Sequence, residues 1–148
     1  MLIKVVNIED LDIMNQIVEL EKSTFGRFGG VDLWILKPLV RFGKVFVVLK
    51  NEKVIGAAEF MVAFDNPEVF LYGFSVKEDF QGKGIGTKLL NYCENYFKEK
   101  GLVFMSLTVD PQNKKAINLY NKLNYKIESL EIDEYEPGVD RYRMKKEL

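Results

Sequence analysis

The chain contains no histidine and one cysteine, Cys93. Without histidine, Ser–His and Cys–His nucleophile pairs are excluded, as are the common histidine-containing metal sites, and no metal is expected. Acid and base work at neutral pH must fall to carboxylate, Tyr, Lys, Cys or bound water. One cysteine allows no internal disulfide, which suits a reducing cytoplasm. Charge of one sign is missing too: 21 Lys and Arg stand against 22 Asp and Glu, a net charge of −1. No basic excess therefore points to nucleic acid. No window approaches the ~20 apolar residues of a spanning helix, so no membrane partner is expected. The start, MLIKVVNIED, has neither a long apolar core nor a small-residue cleavage site, so no leader is expected. No linker, repeat or low-complexity run interrupts residues 1–148, which read as one domain.

What is present is enough for a core: 47% of the 148 residues are hydrophobic, among them eleven Phe and seven Tyr. LIKVVNI, 2–8, reads as a strand, followed by a helix whose apolar residues Leu11, Ile13, Met14, Ile17, Val18 and Leu20 fit a 3.6-residue period and which fades at Ser23. Asp32 can cap a second short helix containing Pro38. Residues 44–64 read as a hairpin and 68–76 as a nearly continuous apolar strand buried on both faces. A helix over 85–100 ends at Gly101, and a strand at 102–109 leads to a helix at 112–123. Strands near 125–132 and 139–146 close the chain around Glu136-Pro137-Gly138. The fold class is α/β (α+β), a single domain with a largely antiparallel sheet.

Between the apolar strand and the first long helix after it lies Gln81-Gly82-Lys83-Gly84-Ile85-Gly86. A strand, a glycine-rich turn and a helix together point backbone N–H groups and a positive helix end at an anion. The nucleotide P-loop spacing G-x-x-x-x-G-K-[ST] is absent. The dinucleotide fingerprint needs its third glycine one residue later than Gly86, and the strands before the loop form a hairpin rather than a βαβ start. Gln81-x-x-Gly84-x-Gly86 instead resembles the acyl-CoA pyrophosphate loop of the GNAT superfamily of N-acetyltransferases, Q/R-x-x-G-x-G/A. Asn113-x-x-Ala116-x-x-Leu119-Tyr120-x-Lys122-x-Asn124-Tyr125 resembles its second signature, N-x-x-A-x-x-L-Y-x-K-x-G-F. Asn124 replaces the usual glycine, and Asn is the next best residue for a left-handed helix end. The element order resembles the family's over nearly the whole chain.

The resemblance implies a mixed sheet of six to seven strands, splayed at its centre, with about four helices, and acetyl-CoA as cosubstrate. Phe74, Ser75 and Val76 would pair with the pantetheine arm like an added strand. Gln81, Gly82, Lys83, Gly84, Ile85, Gly86 and Thr87 would hold the pyrophosphate. Asn113 would contact the arm or the loop after the second strand, beside Ala116. Tyr120 would give a proton to the departing sulfur, although its position on an apolar helix face also suits a core tyrosine. Two carboxylates compete as base: Glu68 at the start of its strand, and Glu59, which alternation would place on a solvated face. Cys93 lies on an apolar helix face and reads as core.

The acceptor, by the same resemblance, would sit between segments 22–36 and 130–141, against Phe25, Phe28, Trp34 and Tyr135. Four acidic residues within 131–136 could attract a cationic amine or form a solvated turn. A small amine is the first expectation. A peptide N-terminus or lysine is the second, since Tyr135 with Gly138-Val139-Asp140 and Met144 resembles the closing hairpin of protein N-terminal acetyltransferases. Against that, the chain reads Leu107-Thr108-Val109 where ribosomal-protein-acetylating relatives carry a glutamate. A non-catalytic acyl-CoA sensor is the alternative from another class, and a homodimer is a further expectation.

Overall fold

The computed structural model describes residues 1–26 and 30–148. Strand β1 (Leu2–Val5) leads into helix α1 (Leu11–Phe25), helix α2 (Leu33–Phe42) and strands β2 (Lys44–Lys50), β3 (Lys53–Val62) and β4 (Glu68–Val76). A single 3-10 turn (Glu78–Phe80) precedes helix α3 (Ile85–Glu99), strand β5 (Phe104–Val109), helix α4 (Lys114–Lys122), and strands β6 (Lys126–Glu131) and β7 (Arg141–Glu147). The strands form one seven-stranded sheet in the order β1-β2-β3-β4-β5-β7-β6. The β4–β5 pair is parallel and the others are antiparallel.

Most expected elements stand where periodicity places them. The first strand is shorter than the expected 2–8, because the Asp10 carboxylate accepts the Asn7 N–H at 2.8 Å and pairs with Lys4 at 2.8 Å, closing a turn. Asp32 caps α2 by accepting from the Ile35 N–H at 3.1 Å. Asn124, at φ 70, takes the left-handed position expected of it.

The sheet separates two cores, and alternation along β2 divides them: Phe46 and Val48 face α3, while Val45 and Val47 face α1 and α2. On the α3 side Phe46, Phe60, Leu89, Leu90, Cys93, Phe97 and Tyr125 are buried together. Cys93 is thus a core residue, its thiol pushed up by burial. On the other side Met14, Ile17, Leu36 and Leu39 pack against the sheet. With helices on both faces, β3 is buried from Val54 through Phe60, so Glu59 is not on a solvated face.

β4 departs from the expected fully buried strand. Val69, Leu71, Ser75 and Val76 are buried, but Tyr72 is exposed and Phe70, Gly73 and Phe74 are partly so. Two interruptions explain this. The register with β3 slips, Glu59 opposing Gly73 and Phe60 opposing Leu71, which leaves Tyr72 as an extra residue in a bulge. On its other edge β4 pairs with β5 only from Glu68↔Phe104 to Leu71↔Leu107. Beyond those pairs the strands part, and the space between them faces outward.

Tyr125 closes the α3 core: its hydroxyl donates to Glu94 Oε1 at 2.9 Å, and Lys146 pairs with Glu94 Oε2 at 2.6 Å. Tyr125→Phe would leave that carboxylate short of a donor. Denaturant unfolding is expected to show a loss of roughly 1–3 kcal/mol, with coenzyme A affinity unchanged.

Candidate active site

The parting of β4 from β5 opens a cavity of about 580 Å³. Leu71 to Phe74 form one wall and Leu107 to Asp110 the other, with Asn113, Ala116 and Tyr120 of α4 along one side. Glu21, Thr24 and Phe25 of α1, Gly30, and Tyr135, Glu136, Val139 and Arg141 of the closing hairpin complete it. A volume of this size suits a small-molecule site. One edge of β4 past Leu71 has no strand partner, so an extended ligand can add to it as a strand would.

The glycine turn stands at the far end of β4. Gly82 (φ 71) and Gly84 (φ 78) are left-handed, with nothing within 4 Å of where a Cβ would sit. Gly84 caps α3 without any side-chain bond, so the first N–H groups of the helix are left to an outside acceptor. Gly86 allows close packing: a Cβ there would lie 3.0 Å from the Phe74 ring. Ile85 is buried and anchors the turn, while Thr87 is partly exposed in the first helical turn. Gln81 faces inward, its Nε2 donating to the Val76 carbonyl at 2.8 Å and its Oε1 accepting from Lys115 of α4. The Gln81 side chain therefore ties the turn to both walls, and Val76 already spends its carbonyl on it. Lys83 donates to the Asp79 carbonyl at 2.8 Å and lies over the Phe80 ring. The turn is thus built for an anion chiefly by backbone and helix end.

Asn113 caps α4, its Oδ1 accepting from the Ala116 N–H at 3.1 Å. The cap sets the helix so that Tyr120, two turns on, reaches the cavity. Tyr120 is 6% exposed and packs between Phe74 and Tyr125. Among the described residues nothing hydrogen-bonds its hydroxyl. Burial pushes the phenol above its ordinary range.

Of the expected bases, Glu68 does not line the cavity. Its carboxylate pairs with Arg143 at 2.8 Å and Lys145 at 2.9 Å and accepts from Ser106 at 2.9 Å. Burial raises its pKa, but these partners outweigh that and hold it below the ordinary carboxylate value, a poor setting for a base. Glu59 lies behind the cavity, fully buried, with neither oxygen hydrogen-bonded. Beside it is a residue that sequence reasoning missed, Glu21 of α1, also fully buried. Its Oε1 accepts from Ser75 Oγ at a long 3.4 Å, and its Oε2 has no partner. Gly73 makes room for both: a Cβ there would overlap Glu59 Oε2 and stand 3.3 Å from Glu21 Oε1. Burial drives both carboxyls up, and the charge of Glu21 drives Glu59 further. The only signal for Glu21 in the sequence was an acidic residue beside the apolar stripe of α1.

The acceptor residues divide. Phe25 and Tyr135 line the cavity, and the Tyr135 hydroxyl lies 2.8 Å from Thr108 Oγ1. Trp34 is 90% exposed and points elsewhere, flanking a separate groove with Pro38 and Phe42. Phe28 lies outside the described residues.

The sequence model of the family described as "Acetyltransferase (GNAT) family" matches residues 14–125. An uncharacterized N-acetyltransferase of Methanocaldococcus jannaschii is 42% identical over 50 residues, which are 34% of this chain and 22% of that relative. The match therefore spans under a quarter of that relative's length. Among solved structures, the NatC complex bound to Gag peptide and CoA superposes with a TM-score of 0.87 at 14% identity, over 99% of this chain and 98% of the other. An aminoglycoside 6'-N-acetyltransferase complexed with coenzyme A gives 0.85 at 16%, over 99% and 97%. At such identities these likenesses concern the fold.

The buried carboxyls have a consequence for stability. Because folding raises the Glu59 pKa, the stability it contributes is fully present below its ordinary 4.5 and is lost as pH rises through the folded-state value. Gln cannot ionise and escapes that loss. Thermal unfolding of Glu59→Gln is expected to show a gain over the parent chain at pH 8 that shrinks toward pH 4.

Proposed function

The chain belongs to the acetyltransferase (GNAT) family, and we propose that it moves an acetyl group from acetyl-CoA to a primary amine by direct attack, with a small amine or amino compound as acceptor. The observation that carries this reading is the wedge between β4 and β5. The uncapped end of α3 stands at one end of its β4 wall, and Tyr120 faces into it with a free hydroxyl.

In this reading the N–H groups at the start of α3 and the backbone of Gly82 to Gly86 bind the pyrophosphate, Lys83 adds charge, and Gln81 keeps the turn in shape. The free edge of Phe74 and Ser75 holds the pantetheine arm, and Asn113 and Ala116 border it. Bound acetyl-CoA supplies an activated acyl group whose leaving atom is sulfur. Tyr120, with its proton held tightly, donates to that sulfur as charge develops on it. Phe25, Tyr72 and Tyr135 give the acceptor end aromatic walls, and Glu21 and Glu59 give it negative character. Tyr72 reflects both: its phenol is raised first by partial burial, then by Tyr135, Glu21 and Glu59. That field favours a cationic amine, and the bounded volume favours a compact one.

A peptide N-terminus is the second reading, favoured by Tyr135, which the closing hairpin brings to the cavity mouth. The NatC complex, a chain of which shares this fold, is solved with a bound Gag peptide. A reducing cytoplasmic setting and a homodimer belong to the same proposal. Among the described residues no helix is long and apolar enough to cross a membrane.

Free thiol release from acetyl-CoA across polyamines, amino acids and peptide N-termini tests the activity. Turnover with at least one amine is expected; tight coenzyme A binding without release for any of them would leave a sensor. Tyr120→Phe is expected to lower kcat by about 10²-fold or more with little change in coenzyme A affinity. An unchanged kcat would remove Tyr120 from the chemistry.

A further inference from the structure

We propose that Glu21 and Glu59 act as one unit holding a single proton, with Glu21 taking up the proton that the acceptor's ammonium must lose; this rests on the amine-acetylation reading above. An ammonium has no lone pair, so an acceptor arriving charged needs a nearby base before it can attack.

Three observations assign the role. The first is position. Glu21 borders the cavity at its acceptor end, between Thr24, Phe25 and the Tyr72–Gly73 bulge. Gly73, itself part of the wall, has no side chain to stand between the cavity and the two carboxyls. The second is the unfilled bonding capacity. Three of the four carboxyl oxygens are buried without a partner. Two ionised carboxylates contain no donor, but one proton between them makes an O–H donor on Glu59 and an acceptor on Glu21. The third is the surroundings. Among the described residues, the groups facing the pair are the Ser75 hydroxyl and Tyr72 phenol from β4 and the Val31 N–H after α1. No Lys or Arg among the described residues pairs with either carboxyl, so the shared proton is what limits their repulsion. The pair therefore presents one negative charge at the place where a cationic amine arrives.

The protons balance as follows. The ammonium gives one proton to Glu21, directly or across one water, which makes both carboxyls neutral. The amine lone pair then forms the C–N bond at the thioester carbon, the C–S bond breaks, and its electron pair goes to sulfur. Tyr120 gives sulfur a proton, and the second nitrogen proton restores the phenol. The proton on the pair passes to solvent as product leaves, so each turnover releases one proton net. Glu21 is the catalytic member, because it is the one of the two that lines the cavity. Glu59 is a positioning residue that acts through it.

The test uses the intact chain and the best amine from the thiol-release panel, with kcat/KM followed against pH for Glu21→Gln, Glu59→Gln and Glu59→Leu. Alongside it, carbon NMR of glutamate-labelled, unliganded protein follows the carboxyls directly. Glu21→Gln is expected to lower kcat/KM about 10²-fold and abolish the acidic limb. Glu59→Gln keeps a donor toward Glu21 and should retain more activity than Glu59→Leu. Glu59→Leu removes that donor and should move the acidic limb upward, a shift that a merely structural role would not produce. In the NMR titration, one carboxyl of the pair should hold its proton well above the ordinary range, and Glu59→Gln should remove that high titration and leave only that of Glu21. Parent-like kcat/KM with an unchanged limb in Glu21→Gln would overturn the proposal, as would two carboxyls titrating normally. If no amine is acetylated, the role falls with the function, and the carboxyl titration then shows whether the pair itself exists.

Discussion

The rest of the site depends on β4 being hydrogen-bonded on both edges up to Leu71 and on one edge after it. Backbone N–H and C=O groups at a sheet centre are rarely left without partners, because orphaned ones are costly. Here the bulge at Tyr72 turns the strand, β5 diverges toward β7, and a run of main chain is left for an extended ligand. A parallel pair requires a crossover, and α3 supplies it, so the helix must begin where β4 ends. The free edge and the positive helix end are thus two results of one topological choice. Ligand sites at the carboxyl ends of parallel strands follow the same logic.

The glycines of the turn do different work, although they look alike in the sequence. Gly82 and Gly84 provide left-handed backbone with open space in front, and Gly86 lets α3 approach Phe74. Gln81 links the turn to β4 and to α4, so the two signature segments are mechanically joined through Lys115. Lys115 itself occupies a variable position of the signature, so its part in joining the segments shows only in the structure.

Burying Glu21 and Glu59 together, without a cation among the described residues, opposes folding, since burial penalises charge and like charges repel. The two cores on either side supply the apolar burial that offsets it. Glu68 makes the contrast. Arg143 and Lys145 of β7 reach it across β5, so its charge is stabilised and its proton affinity falls. Three glutamates of one chain are thereby sorted into an ion pair and a proton-sharing pair by what stands across from each.

By itself the sequence determined the element order, the turn at 81–86, the cap at Asp32 and the position of Tyr120 on α4. All of these depend on local patterns: periodicity, glycine spacing and capping chemistry act within a few residues. The left-handed Asn124 and the core position of Cys93 were legible for the same reason. Tertiary structure alone decided where the carboxyls lie. Alternation along 53–62 cannot say that α1 covers the far face of β3 and brings Glu21 against Glu59, because the two are far apart in the chain. Nor can it show the bulge that exposes Tyr72, the cations that claim Glu68, or the turning of Trp34 away from the cavity. Those outcomes depend on which surfaces meet when the sheet closes between its helices, and register and packing set them.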